Sequence, residues 1–271
     1  MSGRASHRRR AGWRLVAVVS AMALGIAGLL AVGAGAETSG RDGVIVSLEG
    51  SIQPQRLPRH RPVPISITLS GSVRAVGGVA SPRLTRLEVA FGARGGLDTV
   101  GLPRCPRARL RNATQSQALA RCRSALVGRG TIDAEVPLNP EEPILAHAGV
   151  LAFNGRSGGR PAVWVHAYSA TPPVSFVLPF YLRRVHDGAY GLLMRAPVAA
   201  TLGHWPRLRS FQIKLGRRYL AHGVGHSYLS ASCPLPPRFH VLSFPFARAT
   251  YTFSPRPSLS TTILRSCRVR E

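Results

Sequence analysis

Short runs that alternate apolar and polar residues dominate the chain. Val44 to Ile52 (VIVSLEGSI) and Val63 to Val73 (VPISITLSGSV) put an apolar side chain at nearly every second position. In an extended strand those side chains share one face. Arg83 to Gly92 (RLTRLEVAFG) repeats the pattern, and so do GTIDAEVPL, ILAHAGVLAFN, PAVWVHAY, PVSFVLPFYLRR, AYGLLMRAPV, RLRSFQIKLG, SYLSASC, FHVLSFPFARATYTF and LSTTILRSC. Typed turns separate them: Asp187-Gly188 in HDGA, the glycine-rich NGRSGGRP from Asn154 to Pro161, and HGVGH from His222 to His226. About eleven or twelve strands at short spacing predict an all-β antiparallel sandwich or jelly-roll-like single domain rather than βαβ units. Proline within VLPF and SFPF directs those two runs to edges or bulges.

One segment breaks the two-residue period. Arg104 to Cys122 (RCPRARLRNATQSQALARC) contains the one stretch that reads as a short helix, Ala113 to Arg121, with no glycine or proline. Asn112 is the predicted N-cap, with Gln115 completing a capping box. Leu119 and Cys122 share a face that can dock on a sheet.

Ahead of the strands lies a basic segment, MSGRASHRRRAGWR, then an uncharged apolar run from Leu15 to Ala36 ending in Ala-Gly-Ala. That order predicts a signal peptide over residues 1–36, or an uncleaved N-terminal anchor if Leu15–Ala36 spans the bilayer. Residues 37–43 read as a polar linker and 44–271 as the β domain. Either way the domain is expected to be secreted or extracytoplasmic, because the arginines of the leader stay inside.

The chain of 271 residues carries a formal charge of +25, with Lys214 its only lysine. Removing residues 1–36 takes five arginines and no acids, which leaves +20. A charge of this size attracts anionic surfaces. Outside the cell these are anionic envelope polymers or the membrane surface. Nucleic acid is not expected, because aromatics are only 7% of the residues and read as core rather than as stacking platforms between the charges. Arg104, Arg107, Arg109 and Arg111 alternate, so an extended backbone would line up the last three as an anion contact. Arg217 and Arg218 form another candidate cluster, and RLPRHRP (Arg56 to Pro62) a third.

The four cysteines, Cys105, Cys122, Cys233 and Cys267, all follow the leader. An even count in an exported chain predicts disulfides. Of three connectivities, Cys105–Cys122 and Cys233–Cys267 each close a local loop. A zinc site is disfavoured, since no CxxC pair is present and no histidine lies near Cys105 or Cys122. GLPRCPRARL…ALARC, followed by ALVGRG, LAFNG and SYLSASCPLP, resembles uncharacterised exported β-rich proteins of high-GC Gram-positive bacteria. The resemblance implies export and a β-rich domain with paired cysteines; it carries no catalytic residues.

Motifs for catalysis are weak. Ser157 in GRSGG lies in a turn without a local base, and His222 and His226 at HxxxH spacing flank two glycines. Neither a cofactor nor a metal is expected. Asp133 and Glu135 sit two apart in a strand and so share a face; a cleft there would suit an envelope glycan hydrolase. An apolar ligand held inside the sandwich against Phe153, Trp164, Phe176 and Phe180 is the other alternative. The leading expectation is a non-catalytic binding or structural protein that engages anionic envelope material through its arginines.

Overall fold

The computed structural model describes residues 36–136, 143–203 and 207–270. The predicted leader up to Gly35 lies outside these residues, as do the two adjacent acids Glu141 and Glu142. Thirteen of the strands form one curled sheet. Numbered along the chain, its order from one edge is β1 (Glu37–Arg41), β2 (Val44–Gln53), β5 (Ser66–Ala75), β13 (Arg207–Leu215) and β8 (Leu126–Val136). It continues with β9 (Ile144–Ser157), β10 (Arg160–Ala170), β11 (Pro173–Asp187) and β12 (Tyr190–Ala196). Then come β6 (Arg83–Gly92), β17 (Val241–Ser254), β18 (Leu259–Val269) and β3 (Arg56–Leu57). Neighbours are antiparallel except β18 and β3. A small three-stranded sheet orders β4 (Val63–Pro64), β16 (Leu229–Ala231) and β7 (Gly95–Leu97), and β14 (Arg218–Ala221) pairs only with β15 (Val224–Ser227).

Local sequence accounts for the hairpins. Asp42-Gly43, Gly158-Gly159 and His222-Gly223 each take positive φ at both positions. That is the two-residue turn whose twist matches a hairpin. The first of these turns corrects the linker expected at 37–43: Glu37–Arg41 is an edge strand paired along its whole length with β2. It is polar because it is mostly exposed. Pro245 lies at a bulge between β17 and β18, as expected. Pro179 does not fall at an edge strand or a bulge: it lies in the inner strand β11 in unbroken register with β10, and is tolerated because the pairing of β11 with β12 begins only at Tyr181.

The sheet curls until its ends meet, and side chains bridge the seam. Thr261 Oγ1 donates to the Glu37 carbonyl at 3.1 Å, and Arg265 Nε donates to the Gly50 carbonyl. Inside, Val46, Leu48, Val163, Ala249, Tyr251 and Ile263 are buried. Tyr251 reaches across to donate to the Ser47 carbonyl at 3.0 Å.

A second apolar layer lies outside β9, β10 and β11. Along β9, Val150 and Ala152 face the interior while Leu151 and Phe153 face outward, and all four are buried. The outward set is covered by the 102–125 insert, which contains α1 (Gln115–Cys122) between two single 3-10 turns, Arg107–Leu110 and Arg123–Ala125. The helix starts two residues later than expected. Asn112 takes a left-handed φ of 49° and cannot act as the cap. Thr114 caps instead, forming a reciprocal capping box with Gln117. Three buried side chains of the sheet bind the insert's carbonyls. Asn154 donates to Pro103 at 3.0 Å, Trp164 Nε1 to Cys105 at 3.0 Å and His166 Nε2 to Ala113 at 2.9 Å. Cys105–Cys122 ties the insert's own ends across 17 residues, a closure worth about 3 kcal/mol in the chain-entropy model. Cys233–Cys267 is the second bridge.

Gly155 makes room for this layer. A Cβ there would meet Trp164 Nε1 at 2.0 Å. Gly155→Ala is therefore expected to destabilise the protein by about 1–3 kcal/mol through overpacking, although alanine suits a strand better than glycine. Urea unfolding followed by tryptophan emission measures it, and an unchanged or higher midpoint would refute the packing argument.

Candidate functional site

Asp133 and Glu135 do share the outer face of β8, but their neighbours occupy both. Ser210 Oγ on β13 donates to Asp133 Oδ2 at 2.6 Å, and His147 Nδ1 on β9 lies 2.6 Å from Oδ1. These two hydrogen bonds hold the Asp133 carboxyl below its usual range. The carboxylate sits between serine and histidine, so the Ser210 hydroxyl meets Asp133 and not the His147 imidazole, which is not the Ser-His-Asp order of a nucleophilic triad. Glu135 is nearly buried, with Arg209 Nη2 at 2.9 Å. Arg209 is the extra residue of a bulge between β13 and β8, which aims it at Glu135. The pair thus forms a cross-strand polar row.

The insert's arginines do not line one side, because Arg107–Leu110 is a 3-10 turn and not extended. Arg107 folds over the Trp164 ring at 5.9 Å and donates to the Val177 carbonyl at 3.3 Å. Arg104, Arg109 and Arg111 are exposed. Arg107 and Arg111 border a groove of about 400 Å³ with Asn112, Ser175 and Thr201. Ser175 Oγ lies 3.4 Å from His166 Nε2, but that nitrogen already serves the Ala113 carbonyl, so the imidazole is not a base for Ser175. Burial holds His166 below the usual histidine range, outweighing the Ala113 bond.

Arg217 and Arg218 separate in role. Arg217 Nη1 donates to the carbonyls of Ser124 at 2.6 Å and Leu126 at 2.9 Å, bracing the insert against the base of β14. Arg218 is exposed and borders a groove of about 590 Å³ with Arg61, Tyr219, Leu220, His226 and Ser230. In that groove the His226 ring stacks on Tyr219 with centroids 5.5 Å apart, and its Nδ1 lies 2.8 Å from Asp98 Oδ2. Burial pushes the Asp98 carboxyl up, but the Val100 backbone N–H and His226 outweigh it, so it stays ionised below its ordinary value. His222 sits in the turn and does not join His226. Sequence reading missed the Asp98–His226 contact, since the two residues are 128 positions apart.

The interior holds an apolar cavity of about 120 Å³. Phe176 and Phe180 line it as expected. Phe153 and Trp164 do not, because both lie on the outer side beneath the insert. α2 (Val198–Leu202) contributes Val198 and Leu202 to its wall. Among the described residues no helix is long and apolar enough to cross a membrane.

His166 makes the insert's attachment sensitive to pH. Its folded pKa is lowered, so neutral His166 contributes stability above the ordinary value of 6.5, and that stability is lost as the pH falls through the lowered value. The urea midpoint is expected to drop between pH 8 and pH 5 in the wild type. The drop should be smaller in His166→Gln, whose amide keeps a donor for Ala113 and does not titrate. Equal pH slopes would refute it.

No family model, curated protein or solved structure matches the chain, so its own geometry and charge carry any functional reading.

Proposed function

We propose that the protein is a non-catalytic binding or structural module of the cell envelope or exterior that engages anionic envelope material through exposed arginines. The observation that carries this is the cation excess, +20 once the five arginines of residues 1–36 are set aside, with Arg104, Arg109, Arg111 and Arg218 among those exposed. Asp98, Asp133, Glu135, Glu88 and Asp187 each already face a basic partner. With 11 acids against 36 lysines and arginines, most arginines have no carboxylate to meet within the chain. Guanidinium forks suit phosphate and carboxylate groups. The two disulfides support a location outside the cytoplasm. Retention on vesicles containing phosphatidylglycerol, or on soluble polyphosphate, is expected at low ionic strength and is expected to fall steeply with added salt. Retention no greater than that of a neutral β-sandwich protein would overturn the reading.

The apolar cavity favours a second reading, a carrier of a small apolar ligand. At about 120 Å³ it is near the size that accepts a single aromatic ring and too small for an acyl chain. Benzene or a similar ring compound is expected to raise the thermal midpoint. Ala167→Leu, which projects into the cavity wall, is expected to abolish that shift. No shift in the wild type removes this reading. The hydrolase alternative has less support, because Asp133 and Glu135 lie in a paired row and not in a cleft.

A further inference from the structure

The hairpin of β14 and β15 stands apart from both larger sheets. One of its faces is anchored: Tyr219 and His226 hold Asp98, and Ala221 is buried close against Gly101. The other face is unpartnered. It carries Arg218 and Leu220, and across from Leu220 stands Gly225, which has open space where a Cβ would be. Leu220 is 78% exposed. Val224 pairs with Ala221 and so lies on the opposite face, but beside the turn it is 58% exposed. Val100, on the loop beneath, is 64% exposed. Leu220 borders the groove that Arg61 and Arg218 line, where Asp98 is already engaged by His226 and the Val100 N–H.

We infer that this hairpin is a membrane-docking element. An anionic phospholipid places its phosphate between Arg61 and Arg218, while Leu220 and Val224 enter the acyl boundary. The inference rests on the anionic-binding reading and assigns it a surface and a partner. Charge complementarity chooses the bilayer: a polyanion satisfies the arginines but offers nothing to Leu220, whereas an anionic bilayer offers phosphates and hydrocarbon within one interface. The hairpin is also presented without rearrangement, because Arg217 and the Asp98 contacts hold its base.

The experiment compares the full chain with the Leu220→Ser/Val224→Ser double variant, which leaves the charge unchanged, on two probes, phosphatidylglycerol vesicles and soluble polyphosphate. Both substitutions fall on exposed positions. The double variant is expected to bind vesicles about tenfold or more weakly, the loss that follows from not burying two aliphatic side chains. Its polyphosphate binding is expected to match the wild type. Leu220→Trp supplies a measurement that does not depend on lost binding: its emission is expected to shift to the blue with vesicles and not with polyphosphate. If the double variant binds vesicles as the wild type does, or the Leu220→Trp emission does not move, the docking inference is overturned while the anionic reading stands. If the wild type binds neither probe, the charge reading falls and the inference with it.

Discussion

The outer face of β9, β10 and β11 is the constraint on which the rest depends. A sheet of this kind normally leaves one face to water, but here Leu151, Phe153, Ala162, Trp164 and Val177 make that face apolar. It needs a cover, and the insert is too short and too polar to fold alone. Each side completes the other. Asn154, Trp164 and His166 would be buried donors without acceptors, and the Pro103, Cys105 and Ala113 carbonyls belong to irregular backbone with no ladder to join. Their pairing turns polar liabilities on both surfaces into a specific docking register. The capping box and the Cys105–Cys122 bridge then reduce the entropy lost in ordering the segment.

The same economy shapes the interior. Curling the sheet buries most of its inner face against itself, with Leu229 and Leu97 of the small sheet packed against the same core, but the bulky residues of facing strands must then cross. Glycine makes the crossings. A Cβ at Gly71 would meet Phe211 at 2.6 Å and the Tyr251 hydroxyl at 2.7 Å, and one at Gly50 would meet Phe246 at 2.7 Å. Large rings beside bare backbone fill much of the lumen, and the space left includes the ring-sized cavity near Phe176 and Phe180 and a smaller apolar one of about 70 Å³ near Leu192 and Phe246. Packing geometry, more than any recognition group, sets what that cavity can accept.

Alternation made most of the strands legible. β6 has the bounds that its pattern predicts, and the two-glycine and His-Gly turns sit between the strands they were expected to join. What escaped has physical causes. β1 lacks an apolar face because an edge strand over solvent does not need one. The arginine alternation misled because local 3-10 geometry replaced an extended backbone. The cap moved from Asn112 to Thr114 because asparagine tolerates the left-handed conformation that the preceding turn requires. Strand order was not legible at all. β13 lies between β5 and β8, and β6 between β12 and β17, placements fixed by contacts far apart in the chain. The carboxylate pair was read correctly as sharing a face, but its partners His147, Ser210 and Arg209 come from neighbouring strands that no local pattern identifies.

Charge and shape contribute differently to what such a molecule can recognise. A surplus of arginine spread over a curled sheet attracts any polyanion, so it sets encounter and strength but discriminates little among partners. Several of those arginines are already committed: Arg217 to carbonyls, Arg107 to Trp164 and Val177, Arg209 to Glu135. Discrimination requires a feature that most anions leave unsatisfied. Exposed aliphatic side chains beside free guanidinium groups are such a feature, because water penalises them and a soluble polymer does not relieve the penalty. The β14–β15 hairpin can carry them because it is outside the main sheet and braced only at its base and along one face. An apolar residue as exposed as Leu220 on an edge of the large sheet would invite strand pairing between molecules. On a short, twisted hairpin flanked by Arg218, that liability is small and the residue remains available for an interface.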